Sequence, residues 1–402
     1  MVVHAPALVR RRHLLVGLAL PFEEFRVRKT GQRKNLANMT VQPASIGLCG
    51  RVLNRDIYFV NRVLHTAHTM IEWITFESKK IRGFPMGDPH VRSFPVYLPP
   101  GYSKKPPKPY LVFFMLAGYT GKGSTYLTDD TVFNTPLPVR FDRAIEEGRL
   151  PPSIIVFPDC TSKHGCSQYV NSPALGNYMD YLCDELVPLI DERYPTYRSA
   201  DHRGIAGHSS GGFGAMVTAL LRPGVFHHIC SSAGDSAFEI CLPKGVNSAM
   251  IELQSAGGVE KFIRTFFEHP SPKNASATTI GCMELIQYAS CYAPNLNAPP
   301  AFGDLFFDPL TGAIRPEIWK KYLDWDPVHM LDRYESNIKK MKFILLEAGL
   351  QDEFALQWGH RQIAAKLKHL GVPHEINEYP GTHSGHHWRF ESRFVRMAKA
   401  MT

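Results

Sequence analysis

Three short stretches of this chain hold residues that could do chemistry together, and the first is Gly207-His208-Ser209-Ser210-Gly211. A serine with a glycine two positions away on each side suits a strand that turns sharply into a helix. The hydroxyl is exposed at the turn, and the glycines leave it room. The pentapeptide sits between "RGIA" and "GFGAMVTALL", so the strand and the helix that such a turn needs both flank it. Ser209 is the expected nucleophile. Ser210 is its rival, but the symmetric placement of Gly207 and Gly211 favours Ser209. G-x-S-x-G also arises by chance, and a plain turn would read the same way, so the rest of the chain has to decide.

A serine hydroxyl becomes a useful nucleophile when a base takes its proton. An acid and a histidine are expected later in the chain, in that order. Asp352 follows the apolar run "KFILLEAG", and His383 follows "HEINEYPG". Glu353 and Asp235 compete for the acid, and His386 and His387 for the base. Glu353 suits the first turn of a helix, where an acid complements the dipole. The negative charge that develops on an attacked carbonyl needs two backbone N–H donors. One is expected from Ser210, directly after the nucleophile. The other is expected from Tyr119, after Gly118 in "FFMLAGYTGKG". That loop lacks the Lys-Ser/Thr ending of a P-loop, and its glycines do not match G-x-G-x-x-G.

These residues need a scaffold that brings distant loops to one edge. "YLVFFMLAG" and "SIIVFPD" are continuous apolar runs, as strands buried on both faces show. "RGIAG", "HHICSSAG", "KFILLEAG" and "HEINEYPG" read as further strands, and helical patterns lie between them, at 177–194, from Ser209 to Leu221, over "EFALQWGHRQIAAKLKHLG" and over "WRFESRFVRMAKAM". Alternating strands and helices imply an α/β fold with a mostly parallel, doubly wound sheet flanked by helices. Upstream, residues 70–79 and 92–102 read as strands, and 57–69 as a short helix. About a hundred residues between the strands near Ala233 and Lys342 show no buried strand. They are expected to form an inserted helical lid at about 236–330 within a single domain spanning 51–402.

Composition narrows the function classes. The formal net charge is +8, yet residues 1–38 hold eight Lys and Arg against two acids, so most of the excess lies in the tail. The body is therefore not read as a nucleic-acid binder. No stretch reaches the roughly 18 apolar residues of a membrane span. Residues 1–50 are expected to be a poorly structured basic extension. "RRRHLLVGLAL" has the charge and apolar core of a weak secretory signal, but no clear cleavage site follows. The eight cysteines form no Cys-x-x-Cys and no zinc spacing, and they read as buried thiols of a cytoplasmic protein. No metal and no organic cofactor is called for; a homo-oligomer stays open.

With these residues in hand, the chain resembles the esterase D-like branch of the α/β-hydrolases, which includes enterochelin-esterase-like proteins, feruloyl esterases and S-formylglutathione hydrolases. The resemblance rests on "VYLPPGY", "LAGYTG", "VFPDC", "SQYVNSP", "DELVPLIDERY", "GHSSGG", the "DEF" acid loop and "EYPGTHS", which run in order over roughly residues 70–400. It implies a serine carboxylesterase acting through an acyl-enzyme, with Ser209, His383 and Asp352 as the triad. It also implies that "GCSQYVNSP" borders the site, so that Gln168 and Tyr169 could touch the acyl or alcohol part. One departure stands out: Ala117 occupies a position where such enzymes commonly carry histidine. The insertion is also longer than in compact members, and its aromatic residues suit either an apolar substrate or their own packing. An acyltransferase using the same triad, and a binding protein on a hydrolase scaffold, are the alternative functions.

Overall fold

The structure is a computed structural model that describes residues 59–65, 69–128, 135–268 and 276–402, the first stretch as backbone only. The expected extension at 1–50 lies outside the described residues.

Nine strands form one sheet: β1 (Phe59–His65), β2 (Met70–Glu77), β3 (Val91–Leu98), β4 (Leu111–Leu116), β5 (Ser153–Val156), β6 (Arg203–His208), β7 (His228–Ser232), β8 (Phe343–Gly349) and β9 (Glu375–Tyr379). Their order is β1-β2-β3-β5-β4-β6-β7-β8-β9. The first strands run antiparallel, and β5, β4, β6, β7, β8 and β9 run parallel. The segment read as a helix at 57–69 is thus a strand over Phe59–His65. Its residues pair with the free edge of β2, from Phe59 opposite Thr75 to His65 opposite Met70. Val60 and Val63 are β-branched and suit that pairing; tertiary pairing overrode a weak helical pattern.

The apolar run of β4 explains why the sheet is buried on both faces. Val112, Phe114 and Leu116 join one core, and Leu111, Phe113 and Met115 join the other. Side chains alternate across a strand, so a strand without polar residues must be covered twice. Helices α1 (Leu137–Glu146) and α10 (Phe390–Met401) cover one face, where Phe394 meets both Phe113 and Phe141 edge-on. The other face is covered by three helices. They are α2 (Tyr178–Asp180, π-helical over Tyr181–Leu186, then Val187–Arg193), α3 (Ser210–Leu221) and α9 (Leu356–His369). Helix α3 is buried on all sides from Ser210 to Leu220, as its apolar, glycine-rich sequence demands.

Between β7 and β8 lie helices α4 (Val246–Ala256), α5 (Val259–Glu268), α6 (Ala277–Tyr292), α7 (Pro316–Leu323) and α8 (Pro327–Arg333). The aromatics of this insertion mostly serve its own core. Tyr292 packs against Phe213, Phe238, Tyr288 and Tyr322, and Phe306 packs against Phe307, Trp319 and Tyr322. Among the described residues, no helix is long and apolar enough to cross a membrane. The seven described cysteines are free.

Candidate active site

Parallel strands send their C-terminal ends to one edge, where α/β sheets bind ligands. Ser209 follows β6 directly and sits at φ 58°, ψ −128°, a backbone conformation that a side chain rarely adopts. The surrounding structure holds it there. Its N–H donates to the Ser232 carbonyl at 2.9 Å, and its carbonyl accepts from Phe213 N at 3.0 Å, which starts α3. Gly207 and Gly211 are needed because the chain crosses itself. A Cβ on Gly207 would collide with the Gly211 carbonyl, and one on Gly211 with the Leu116 carbonyl. A Cβ on Gly212 would stand 2.7 Å from the Ser232 oxygen. These obstacles are backbone atoms, which cannot swing aside.

The loops after β8 and β9 meet beside this turn. His383 Nδ1 lies 2.9 Å from Asp352 Oδ2, and the Asp352 side chain is fully buried. Glu353 is placed differently: its Oε2 accepts the backbone N–H of His383 at 2.8 Å. Asp235 meets the Tyr288 hydroxyl at 3.1 Å. Of the three acids considered, Asp352 is the one that meets the imidazole. His386 stands edge-on to Tyr379, and His387 tilts against Phe390. Burial pulls the His383 pKa down, but the hydrogen bond and charge of Asp352, helped by Asp235 and Glu353, outweigh it and raise it above the ordinary 6.5. His208, its ring tilted against that of His383 at 4.7 Å, goes the other way. Burial, then the charges of His383, Arg393 and His387, hold it well below 6.5, so it stays neutral.

On the far side, Gly118 packs against the turn: a Cβ there would sit 3.4 Å from both the Ser209 Cβ and the His208 carbonyl. The Tyr119 side chain is anchored, its hydroxyl donating to the His164 carbonyl at 2.6 Å. Neither Tyr119 N–H nor Ser210 N–H donates to a protein acceptor among the described residues. Ser210 is the first residue of α3, where such a group is orphaned by geometry. Ser209, His383, Gly118, Tyr119 and Phe354 all line one cavity of about 680 Å3.

The family model described as "Putative esterase" matches residues 89–401, most of the chain. The chain belongs to the esterase family. Among solved structures, a ferulic acid esterase superposes with a TM-score of 0.53 at 16% identity, covering 83% of this chain and 98% of that one. FphF, a fluorophosphonate-binding serine hydrolase of Staphylococcus aureus, gives 0.50 at 17% identity, covering 83% and 99%. At these identities the likeness shows the α/β-hydrolase fold. Among curated proteins, the uncharacterized YbbA of Bacillus subtilis (strain 168) is 24% identical over 162 residues, which span 37% of this chain and 58% of the relative.

Two expected binding residues of this esterase-family chain lie elsewhere. Gln168 and Tyr169 are buried and do not line the cavity. Gln168 Nε2 donates to Ser210 Oγ at 2.8 Å, and the Tyr169 hydroxyl donates to the Ala117 carbonyl at 2.7 Å. Both have positive φ, 53° and 57°, and this unusual pair of left-handed residues goes with side chains buried against the turn. They support the loops rather than touch the cavity. Among the described residues, the insertion's aromatics are likewise not part of the cavity wall, and its contribution there is Ala277, Ile280, Gly281 and Glu284 of α6. Trp358 and Trp388 are exposed, with Arg361 and Arg389 over their rings.

Sequence reasoning missed His208, Phe354 and Glu284. His208 could have been suspected from its place inside the pentapeptide, and Phe354, edge-on to His383 at 4.6 Å, from its nearness to Asp352. Glu284 carries no such signal. Glu239, Asp326 and His329 bring potential metal-ligand atoms within 4.8 Å of one another. Asp326 already accepts from backbone N–H groups of Ala237, Phe238 and Val328 at 3.0, 2.6 and 2.9 Å, and none of the three lines the cavity. That set reads as a helix cap with an exposed Glu–His pair beside it.

Proposed function

We propose that this chain hydrolyses a small-molecule carboxylic ester through an acyl-enzyme formed on Ser209. The observation that carries the reading is the buried Asp352–His383 pair at 2.9 Å, sharing one cavity with a serine held in a strained turn. Asp352 accepts the hydrogen bond of His383 Nδ1–H, which keeps the proton on Nδ1 and leaves Nε2 as the base. Nε2 removes the Ser209 proton as Oγ attacks the ester carbonyl. The imidazolium then protonates the departing alcohol, and water, activated by the same nitrogen, releases the acid. The free N–H groups of Ser210 and Tyr119 hold the oxyanion. They are fixed before substrate arrives, by the turn and by the buried Tyr119 side chain. Ala117 presents a carbonyl held by Tyr169, so the loop is shaped without a histidine at that position.

The insertion acts as a lid in this reading, with α6 closing one side of the cavity. Replacing Ser209 with Ala in a folded protein should lower turnover of a p-nitrophenyl ester by a factor on the order of 10^4 or more. Full activity in that variant would overturn the mechanism.

A further inference from the structure

One face of α6 forms part of the cavity wall: Ala277, Ile280, Gly281 and Glu284 recur at helical spacing, and all four line it. Three are small or apolar. Glu284 is the carboxyl that the insertion brings into the cavity, and a hydrogen-bonded chain sits behind it. The Tyr288 hydroxyl lies 2.9 Å from Glu284 Oε1 and 3.1 Å from Asp235 Oδ2. A phenol carries one proton and can donate to only one of the two carboxyls. For both contacts to be hydrogen bonds, one carboxyl must itself be protonated and donate to the tyrosine oxygen.

The proton belongs on Glu284. Burial, then the charge of Asp235, raises Glu284 to about 7, whereas Asp235, raised mainly by burial, reaches about 6. The chain then runs from Glu284 O–H to the Tyr288 oxygen, and from Tyr288 O–H to the Asp235 carboxylate. Glu284 Oε2 has no protein donor among the described residues. In the protonated acid, that oxygen is the carbonyl, an acceptor left for whatever occupies the cavity.

We propose that Glu284 is a specificity-determining residue that selects esters carrying a neutral hydroxyl at the cavity wall and rejects esters carrying a carboxylate there. A hydroxyl can donate to the free oxygen. A methyl group leaves that oxygen unpaired. A carboxylate would face a second acid backed by the Asp235 charge, and like charges in a site disfavour each other. The proposal rests on the esterase reading above, since the occupant of the cavity is taken to be the ester.

The test is a set of esters of equal chain length ending in hydroxyl, methyl or carboxylate. One series varies the acyl part and a second varies the alcohol part. Ratios of kcat/KM are taken for wild type, Glu284→Ala, Glu284→Gln and Tyr288→Phe. Ratios within one variant do not depend on how much of it is folded. In one of the two series, wild type should prefer hydroxyl over methyl about tenfold and disfavour the carboxylate more strongly. Glu284→Ala should bring hydroxyl and methyl to within about twofold and relieve the rejection of carboxylate. Glu284→Gln, which keeps a carbonyl acceptor, should retain the hydroxyl preference, and Tyr288→Phe should weaken it. Equal wild-type rates for hydroxyl and methyl in both series, or a preference that survives in Glu284→Ala, would overturn the proposal. Absence of turnover of every ester in both series by wild type would instead overturn the esterase reading beneath it.

Discussion

A side chain on Gly349 would collide with the carbonyl oxygen of Gly381 and stand 2.6 Å from that of Thr382. Gly349 ends the strand before Asp352, and Gly381 begins the loop of His383. The two loops are stitched there, with Gln351 N–H donating to the Gly381 carbonyl at 2.9 Å. The acid and the histidine therefore meet because a residue without Cβ lets their loops touch. Gly349→Ala should separate them. The expected cost is about 1–3 kcal/mol of stability, with a fall in kcat larger than any change in KM. Chemical denaturation and steady-state kinetics on one ester check both.

With His383 as the base of the proposed mechanism, its raised pKa should set the acid limb of the rate profile. A general base works when deprotonated, so kcat/KM should rise through a pKa above 6.5 and level off at higher pH. Asp352→Asn removes the hydrogen bond and the charge that raise it, while burial still lowers it. The limb should move to lower pH as the plateau falls by a factor on the order of 10^4. A limb that stays in place in Asp352→Asn would show that another acid controls His383.

Gln168 and Tyr169 should act on the rate rather than on binding. Tyr169→Phe removes the bond to the Ala117 carbonyl, worth about 1 kcal/mol net. Gln168→Ala removes the donor to Ser210 Oγ. Both variants should lower kcat several-fold with KM little changed. A change confined to KM would put these side chains in contact with substrate after all.

Beneath the turn, Glu347 accepts from Arg393 Nε at 2.6 Å and Arg389 at 3.0 Å, and Arg393 also donates to the Ser232 hydroxyl at 2.5 Å. Burial pushes the Glu347 pKa up, but Arg393 and Arg389 outweigh it and hold it below 4.5. A carboxyl with a lowered folded pKa contributes stability above its unfolded value, lost as pH falls through the folded one. Glu347→Gln should cost about 3–5 kcal/mol at neutral pH, because it leaves Arg393 buried and unpaired. Its stability should also depend less on pH below 4.5 than that of wild type. Denaturant melts across pH 3–7 check both parts.

Where the chemistry is local, it could be read from sequence. The apolar run of β4, the glycines around Ser209 and the positions of Asp352 and His383 after their strands all carry their structural reason in neighbouring residues. What escaped depends on distant partners. Phe59–His65 becomes a strand because β2 offers an edge. Gln168 and Tyr169 are buried because two left-handed residues follow one another in their loop, which no composition rule announces. Glu284 enters the cavity only because α6 docks as it does, with Gln287 bound to the Cys166 carbonyl and Ser290 to the Ser172 hydroxyl.

The central claim is that Ser209 is the nucleophile, and covalent labelling tests it most directly. Wild-type protein treated with a fluorophosphonate should gain one adduct, located on Ser209 by peptide mass spectrometry, with ester turnover lost in proportion. Ser209→Ala should gain none, while Ser210→Ala should still be labelled. An adduct on Ser210 or elsewhere, or full ester turnover with Ser209 labelled, would contradict the account.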